Sequence, residues 1–231
     1  MKLSIILPVY NEERTIVQIL DRLNNVALPD GFSREIIIVN DGSTDGTGKI
    51  LEGKSDHNIV IFSYNENQGK GHGVIKGLRE ATGDIVVIQD ADLEYDPADF
   101  NELLVPIIKG QADVVFGSRF LGGRARLVTP FWHKLFNNAL TFISNLFTNL
   151  TLSDMETCYK MFTRAVTDDI KDKLSSPRFG IEPELTALVK KYRIYEVPIS
   201  YTGRSKGAGK KITWIDGLAA VWHIIRFNLW R

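Results

Sequence analysis

Five times in its first 120 residues the chain repeats one pattern: a short apolar run that ends in a polar, glycine-containing or acidic cluster. The runs are Leu3–Leu7, Ile36–Val39, Ile59–Tyr64, Ile85–Gln89 and Asp113–Phe116. The clusters are Tyr10-Asn11-Glu12, Asn40-Asp41-Gly42-Ser43, Asn65–Gly71, Asp90-Ala91-Asp92 and Gly117-Ser118-Arg119. Helical patterns lie between the runs. Thr15–Leu23 places Ile16, Ile19, Leu20 and Leu23 on one face, and Gly73–Ala81 and Asp99–Lys109 are two more. Strands that alternate with helices predict an α/β fold: a mostly parallel sheet, covered on both faces and therefore made of near-continuous apolar strands. In such sheets ligands bind beyond the carboxyl ends of the strands. The five clusters are thus expected to share one edge and to form one site.

The remainder reads differently. A Gly- and Arg-rich loop, Arg119–Arg126, precedes an uncharged segment from Leu135 to Ser153. In that segment Asn137, Asn138, Thr141, Ser144, Asn145, Thr148 and Asn149 recur at spacings of mostly 3 and 4. Leu135, Phe136, Ala139, Leu140, Phe142, Ile143, Leu146, Phe147 and Leu150 take the other positions. This is an amphipathic helix, too polar to face hydrocarbon on every side. Further on come a helix from Glu182 to about Lys191, a strand Tyr195–Tyr201, a basic stretch Gly203–Lys211 and a last helix from about Ile212 to Trp230. With no internal repeat and no low-complexity linker, 231 residues are read as one domain over 1–231 with two functional halves, 1–118 and 119–231.

Composition narrows the function. With 28 basic and 28 acidic side chains the chain lacks the basic excess of a nucleic-acid binder. Cys158 is the single cysteine, so no internal disulfide forms, and a reducing compartment fits. The run Leu3–Val9 is short and interrupted by Pro8, so it reads as a strand and not as a signal peptide.

The strongest chemical signal is Ile85-Val-Val-Ile-Gln-Asp-Ala-Asp92. A buried strand delivers two carboxylates at i and i+2. Two like charges held together cost energy unless a cation neutralises them. A hard divalent ion takes oxygen ligands and bridges to substrate phosphates, and Glu94 offers a third oxygen. The bland alternative is a solvated acidic turn, with Asp96 before Pro97 as a helix cap. Pro8-Val-Tyr10-Asn-Glu12 sets an aromatic ring and an acid at the same edge. Glu12 and Glu13 also suit the first turn of a helix. Asn40-Asp-Gly-Ser-Thr-Asp-Gly46 is either a carboxylate-bearing turn able to accept from a base N–H or a plain Asx-rich turn. Asn67-Gln-Gly-Lys70-Gly71 presents a cation between glycines without P-loop spacing.

In this order, Pro8-Val-Tyr-Asn-Glu12, Asn40-Asp-Gly-Ser43, Asn67-Gln-Gly-Lys-Gly71, Ala81-Thr-Gly-Asp84 and Asp90-Ala-Asp92 resemble family 2 glycosyltransferases. Gly117-Ser-Arg119, Asp154-Met-Glu-Thr-Cys-Tyr-Lys160, Glu182-Pro-Glu184, Glu196-Val-Pro-Ile199 and Arg204 extend the resemblance to the dolichyl- and polyprenyl-phosphate mannosyl- and glucosyltransferases. The resemblance implies a GT-A fold, Rossmann-like, with C-terminal amphipathic helices. It implies that Pro8, Tyr10 and Glu12 line the nucleotide pocket, that Asp41 reads the base and that Lys70 and Ala91 lie near the donor. Asp90, Asp92 and Glu94 would hold Mg²⁺ or Mn²⁺, with Asp90 also beside the diphosphate. Arg119 would sit near a phosphate, Asp154 and Glu184 near the transferred sugar, and Arg204 and Lys206 on a loop closing over the phosphates. Glu94 stands where many relatives have Gln, Asn40 where many have Asp, and Cys158 where glycine is common.

The implied reaction moves a hexose from GDP-mannose or UDP-glucose to a polyprenyl or dolichyl monophosphate with inversion. Arg119, Arg124 and Arg126 are expected to position the acceptor phosphate, and Asp154 is the reserve base. A lipid acceptor requires membrane access. Trp214, Trp222 and Trp230 in the last helix, with Arg226, Arg231 and His223, suit an interface. The expectation is a peripheral enzyme on the cytoplasmic face of a membrane, with a membrane partner subunit or a second copy as the alternative cover for its apolar helices. Two other functions stay open: transfer to a soluble or polysaccharide hydroxyl, and a non-catalytic nucleotide-sugar-binding subunit.

Overall fold

The apolar runs become the strands of one sheet in the computed structural model, which describes residues 1–54, 57–123, 127–203 and 214–230, with backbone alone for 214–218. The strands are β1 (Lys2–Val9), β2 (Ser33–Asp41), β3 (Ile59–Tyr64), β4 (Ile85–Ile88), β5 (Val114–Ser118), β6 (Lys160–Thr163) and β7 (Ile194–Pro198). Their spatial order is β3-β2-β1-β4-β6-β5-β7. Every pairing is parallel except those of β6, which lies antiparallel between β4 and β5. The other six strands therefore end at one edge, as the recurring pattern predicted. Leu3, Ile5, Ile6 and Leu7 of β1 and all four residues of β4 are buried, because helices cover both faces at the centre of the sheet, whereas the edge strands β3 and β7 stay partly open.

The helices are α1 (Ile16–Asn25), α2 (Thr47–Glu52), α3 (Lys70–Glu80), α4 (Phe100–Ile108), α5 (Phe131–Thr148), α6 (Arg164–Ile170), α7 (Ile181–Val189) and α8 (Trp214–Leu229). α1 buries Ile16, Ile19, Leu20 and Leu23, the predicted stripe. α3 packs close on β1 because Gly77 has no side chain: a Cβ there would stand 2.3 Å from Ile6 Cγ2. β7 stops at Pro198, short of the expected Tyr201, which instead makes an isolated bridge to Tyr95. Three elements carry no advance signal in the sequence: α2, β6 and α6. β6 is four residues long, too short for a period to show.

α5 is turned opposite to the usual arrangement. Its buried residues are Asn137, Leu140, Thr141, Ser144 and Thr148, so most of the polar stripe faces inward. Ser144 is 1% exposed, whereas Trp132 is 75%, Phe142 70% and Leu146 71% exposed. The cause is the loop beneath the helix. Asn145 exchanges two hydrogen bonds with the Leu152 backbone, at 2.8 and 3.0 Å. Thr141 Oγ1 accepts from Met155 N at 3.1 Å, and Asn137 Nδ2 donates to Asp154 Oδ1 at 3.2 Å. An irregular loop carries backbone groups that need partners, and the polar stripe supplies them. α8 packs on α5 and α7. It buries Ile224 and Phe227 and leaves Trp222 and Trp230 exposed, with their ring centroids 5.8 Å apart.

Candidate active site

The loops after β1 and β2 are knit together. Asn11 has a positive φ of 54°. It takes Ser43 Oγ on its backbone N–H and holds Thr44 N through its own Oδ1 at 2.7 Å. Glu12 N donates to Thr47 Oγ1, and Gly46 N donates to Glu13 Oε2. Pro8 and Tyr10 are partly open beside this seam. Asp41 is nearly enclosed. One carboxylate oxygen accepts from Gln68 N and Gly69 N at 3.0 and 2.6 Å, and the other lies 3.0 Å from His72 Nδ1. In this structure Asp41 therefore shapes the 68–72 turn, with His72 as a partner that the sequence pattern did not flag.

That turn aims Lys70 away from Asp41. Its Nζ lies 2.8 Å from Asp90 Oδ1 and 3.2 Å from Glu182 Oε1. Burial alone would lower the ammonium's pKa, but Asp90 and Glu182 more than offset that and hold it well above the ordinary lysine range. Glu182 in turn meets Lys160 at 2.5 Å, and this fully buried lysine also binds the carbonyls of Met155 and Thr157. An alternating row, Asp90, Lys70, Glu182 and Lys160, so links the end of β4 to the 155–157 turn. Charges this buried are tolerable because each has a partner.

At the end of β4, buried Gln89 fixes the turn. Its Nε2 donates to the Asp90 carbonyl, and its Oε1 accepts from Tyr159. Ala91 is buried. Leu93 adopts φ +65°, a costly conformation for a branched side chain of the kind that collects at functional turns. It sets Asp92 and Glu94 in one tight bend, with Glu94 N donating to Asp92 Oδ1 at 3.1 Å. Glu94 Oε2 accepts from Tyr201 Oη at 2.8 Å. Asp96 is the cap of the turn at Pro97, accepting from Ala98 N. Among the described residues no three acidic, His or Cys side chains converge as a ready-made metal cage. The donor set still fits a divalent ion: hard carboxylate oxygens, few in number. Mg²⁺ in particular is commonly held by one or two carboxylates plus substrate phosphates.

On the other side of β4, Arg119 and Asp154 form a buried pair. The guanidinium Nε and Nη2 each donate to Asp154 at 2.7 Å, and the Arg119 backbone N donates at 3.0 Å. Asn137 supplies a fourth donor. Four donors fill a carboxylate, so Asp154 has no oxygen left to serve as the expected reserve base. The Arg119 guanidinium lies over the rings of Phe120 and Tyr201, 5.4 and 5.3 Å from their centroids. Glu156, two residues from Asp154, is half-buried, with its Oε1 shielded from solvent. Burial first, then the Glu182 charge, pushes its carboxyl up to about 7, and its Oε1 finds no partner among the described residues.

Glu184 faces the 175–176 backbone. It is fully buried and accepts from Ser175 N, Ser175 Oγ and Ser176 N. It holds the 175–178 segment against the start of α3, where a Cβ on Gly71 would lie 2.0 Å from Ser176 O. In the Glu182-Pro-Glu184 pair it is Glu182 that meets Lys70. Two positions apart on a helix do not share a face, so Glu182 turns to Lys70 and Glu184 to the 175–176 backbone. Tyr201 and His72 gave no pattern to find, and Lys160 closed the Asp154–Lys160 motif without a role of its own. Arg124, Arg126, Arg204 and Lys206 lie outside the described residues.

The chain is similar to known proteins in both sequence and fold. The family described as Glycosyl transferase family 2 matches residues 4–171. A dolichol-phosphate mannosyltransferase of Pyrococcus furiosus is 28% identical over 213 residues, covering 91% of this chain and 59% of that protein. The chain thus spans about three fifths of that relative's length. A UDP-N-acetylglucosamine–dolichyl-phosphate N-acetylglucosaminyltransferase of Methanococcus voltae is 30% identical over 229 residues, covering 90% and 89%. Among solved structures, glucosyl-3-phosphoglycerate synthase of Mycobacterium tuberculosis, in complex with Mn²⁺, UDP and phosphoglyceric acid, superposes with a TM-score of 0.71 at 20% identity. It covers 98% of this chain and 76% of that one, a likeness of fold. With the family matched over most of its length, the chain belongs to glycosyl transferase family 2 and is a glycosyltransferase of the GT-A fold.

Proposed function

We propose that the protein transfers a hexose from GDP-mannose or UDP-glucose to a polyprenyl or dolichyl monophosphate at a membrane surface, inverting the anomeric centre. The observation that carries this reading is α5. The helix whose polar stripe grips the loop bearing Asp154, and through it Arg119, turns Trp132, Phe142 and Leu146 outward. A catalytic loop backed directly by an exposed apolar surface suits an acceptor whose phosphate must be reached and whose tail stays in lipid. The names of the two relatives point to the same acceptor class.

In this reading Pro8, Tyr10 and Glu12 line the nucleotide pocket, and Asp41 and His72 shape its base end. Lys70 faces the diphosphate beside Asp90 and offsets negative charge developing on the leaving group. Asp90, Asp92 and Glu94 would hold Mg²⁺ or Mn²⁺, which when bound supplies further charge neutralisation. Arg119, fixed by Asp154 and two rings, orients the acceptor phosphate, assisted by Arg124 and Arg126 from the following loop and by Arg204 and Lys206 from the basic stretch. A phosphate monoester with a second pKa of about 6 is already anionic near neutral pH, so attack needs no strong base. This agrees with the filled carboxylate of Asp154. The protein would act peripherally, on the cytoplasmic face, through α5 and α8. Among the described residues no helix is long and apolar enough to cross a membrane.

The test is a donor panel of GDP-mannose, UDP-glucose and UDP-N-acetylglucosamine with a short polyprenyl phosphate and Mg²⁺ or Mn²⁺. A glycolipid product is expected. Transfer to soluble sugars alone would overturn the lipid acceptor.

A further inference from the structure

Tyr201 stands where three parts of the site meet. Its hydroxyl donates to Glu94 Oε2 at 2.8 Å. The next residue repeats the link through the backbone, Thr202 N donating to Glu94 O at 2.9 Å. The Tyr201 ring lies edge-on to Tyr95, 5.5 Å between centroids, and Tyr95 Oη accepts from Cys158 N, in the same loop as Asp154. The face of the Tyr201 ring supports the Arg119 guanidinium at 5.3 Å. Tyr201 is 9% exposed, and two residues later the basic stretch begins.

We propose that Tyr201 is a positioning residue that couples the carboxylate Glu94 to the acceptor-side Arg119, so that cation and acceptor phosphate assist each other's binding. The inference rests on the proposed function for the identity of the two ligands. The physical argument is local. A carboxylate beside Asp90 and Asp92 has several rotamers, and the Tyr201 hydroxyl selects one. A cation that draws on Glu94 acts on the same hydroxyl, whose ring cannot move without disturbing the guanidinium that lies over it. Arg119 has little freedom of its own, since Asp154 holds it at both Nε and Nη2. A single rigid ring with one polar atom thus joins two charge sites, and a coupling of this kind is reciprocal by necessity.

The experiment measures binding without turnover. Mn²⁺ is titrated into the full chain and into Tyr201→Phe, following the free ion by electron paramagnetic resonance, with and without a short-chain polyprenyl phosphate. The Phe variant keeps the ring and removes one oxygen, and its thermal midpoint checks the fold. The expected result is at least threefold tighter Mn²⁺ binding in the presence of the acceptor for the parent chain, and less than 1.5-fold for Tyr201→Phe. Unchanged coupling in the variant, or Mn²⁺ binding by the parent chain that ignores the acceptor, would overturn the inference alone. A parent chain that binds no Mn²⁺ would overturn both the inference and the metal in the proposed function. Tyr201→Ala, which also removes the ring under Arg119, is expected to raise the acceptor KM beyond the Phe variant. Equal KM values would overturn the Arg119 half of the coupling.

Discussion

Replacing Asp154 with Asn tests the buried Arg119 pair without changing its shape. Asp154 is fully buried and accepts four hydrogen bonds, three from Arg119 and one from Asn137. The Asn side chain removes the negative charge and points an NH₂ group at a guanidinium that only donates. Arg119 is left buried with its positive charge and only the neutral Asn137 Oδ1 as a side-chain acceptor, 3.1 Å from Nη2. Glu156, a carboxyl that also feels the Arg119 charge, is held about half protonated near neutral pH. Removing one partner of a buried pair costs about 3–5 kcal/mol. For a chain of this size each kcal/mol lowers Tm by about 2–4 °C, so Asp154→Asn is expected to melt about 6–20 °C early. Circular dichroism at low ionic strength measures it. Added inorganic phosphate is expected to recover part of the loss, because an anion at Arg119 replaces the missing charge. A shift below about 3 °C would refute the account of Asp154 as the counter-charge of Arg119. So would a full loss that phosphate cannot reduce at all.

Other expectations follow from the same geometry. Asp92→Ala is expected to lower transfer by about 100-fold or more, the scale of losing a fixed electrostatic contact. Its circular dichroism spectrum and Tm should match the parent, and full activity would sink the role in metal binding. Phe142→Asp with Leu146→Asp removes two exposed apolar side chains, each worth about 1.5–3 kcal/mol if buried in lipid. Sedimentation with anionic vesicles should fall by roughly 10²–10⁴-fold with no loss of Tm, and unchanged sedimentation would exclude this face as the membrane contact. Glu156 keeps its proton in the folded chain up to about pH 7, against 4.5 for the free side chain. The folded state therefore binds the extra proton, and stability falls as pH rises from about 4.5 to about 7, by up to about 3 kcal/mol. Glu156→Gln should flatten that slope and raise stability at pH 8. Urea unfolding across pH 4.5–8 measures both, and an unaltered slope would show that the proton sits elsewhere.

Much of this was legible in the residues. The five apolar runs became β1 to β5, because a sheet covered on both faces needs continuous hydrophobic strands, and that periodicity is visible locally. The edge bearing Asn11, Asp41, Lys70, Asp90 and Arg119 followed from strand direction alone. What stayed hidden depended on tertiary context. Lys160 is a buried lysine because Glu182 and two carbonyls surround it, and no local pattern announces such a shell. Tyr201 reads as the end of a strand until its hydroxyl is seen on Glu94. The stripe of α5 was correctly periodic, but period alone does not say which side faces the interior. The unpaired backbone of the 152–155 loop decided that.

β6 bears on how the chain is made. Because it separates β4 from β5, the first 118 residues leave the ribosome unable to close their own sheet. The inner edges of β4 and β5 remain open until Lys160–Thr163 emerges and inserts. Open edges invite pairing with other chains, and pairings between distant segments form slowly. Asp90 follows one of these edges and Arg119 the other, so the two reach their final separation only when the insertion is complete. A chain released before residue 160 would carry the donor-side loops without an assembled site, with one edge of β4 and both edges of β5 open to aggregation.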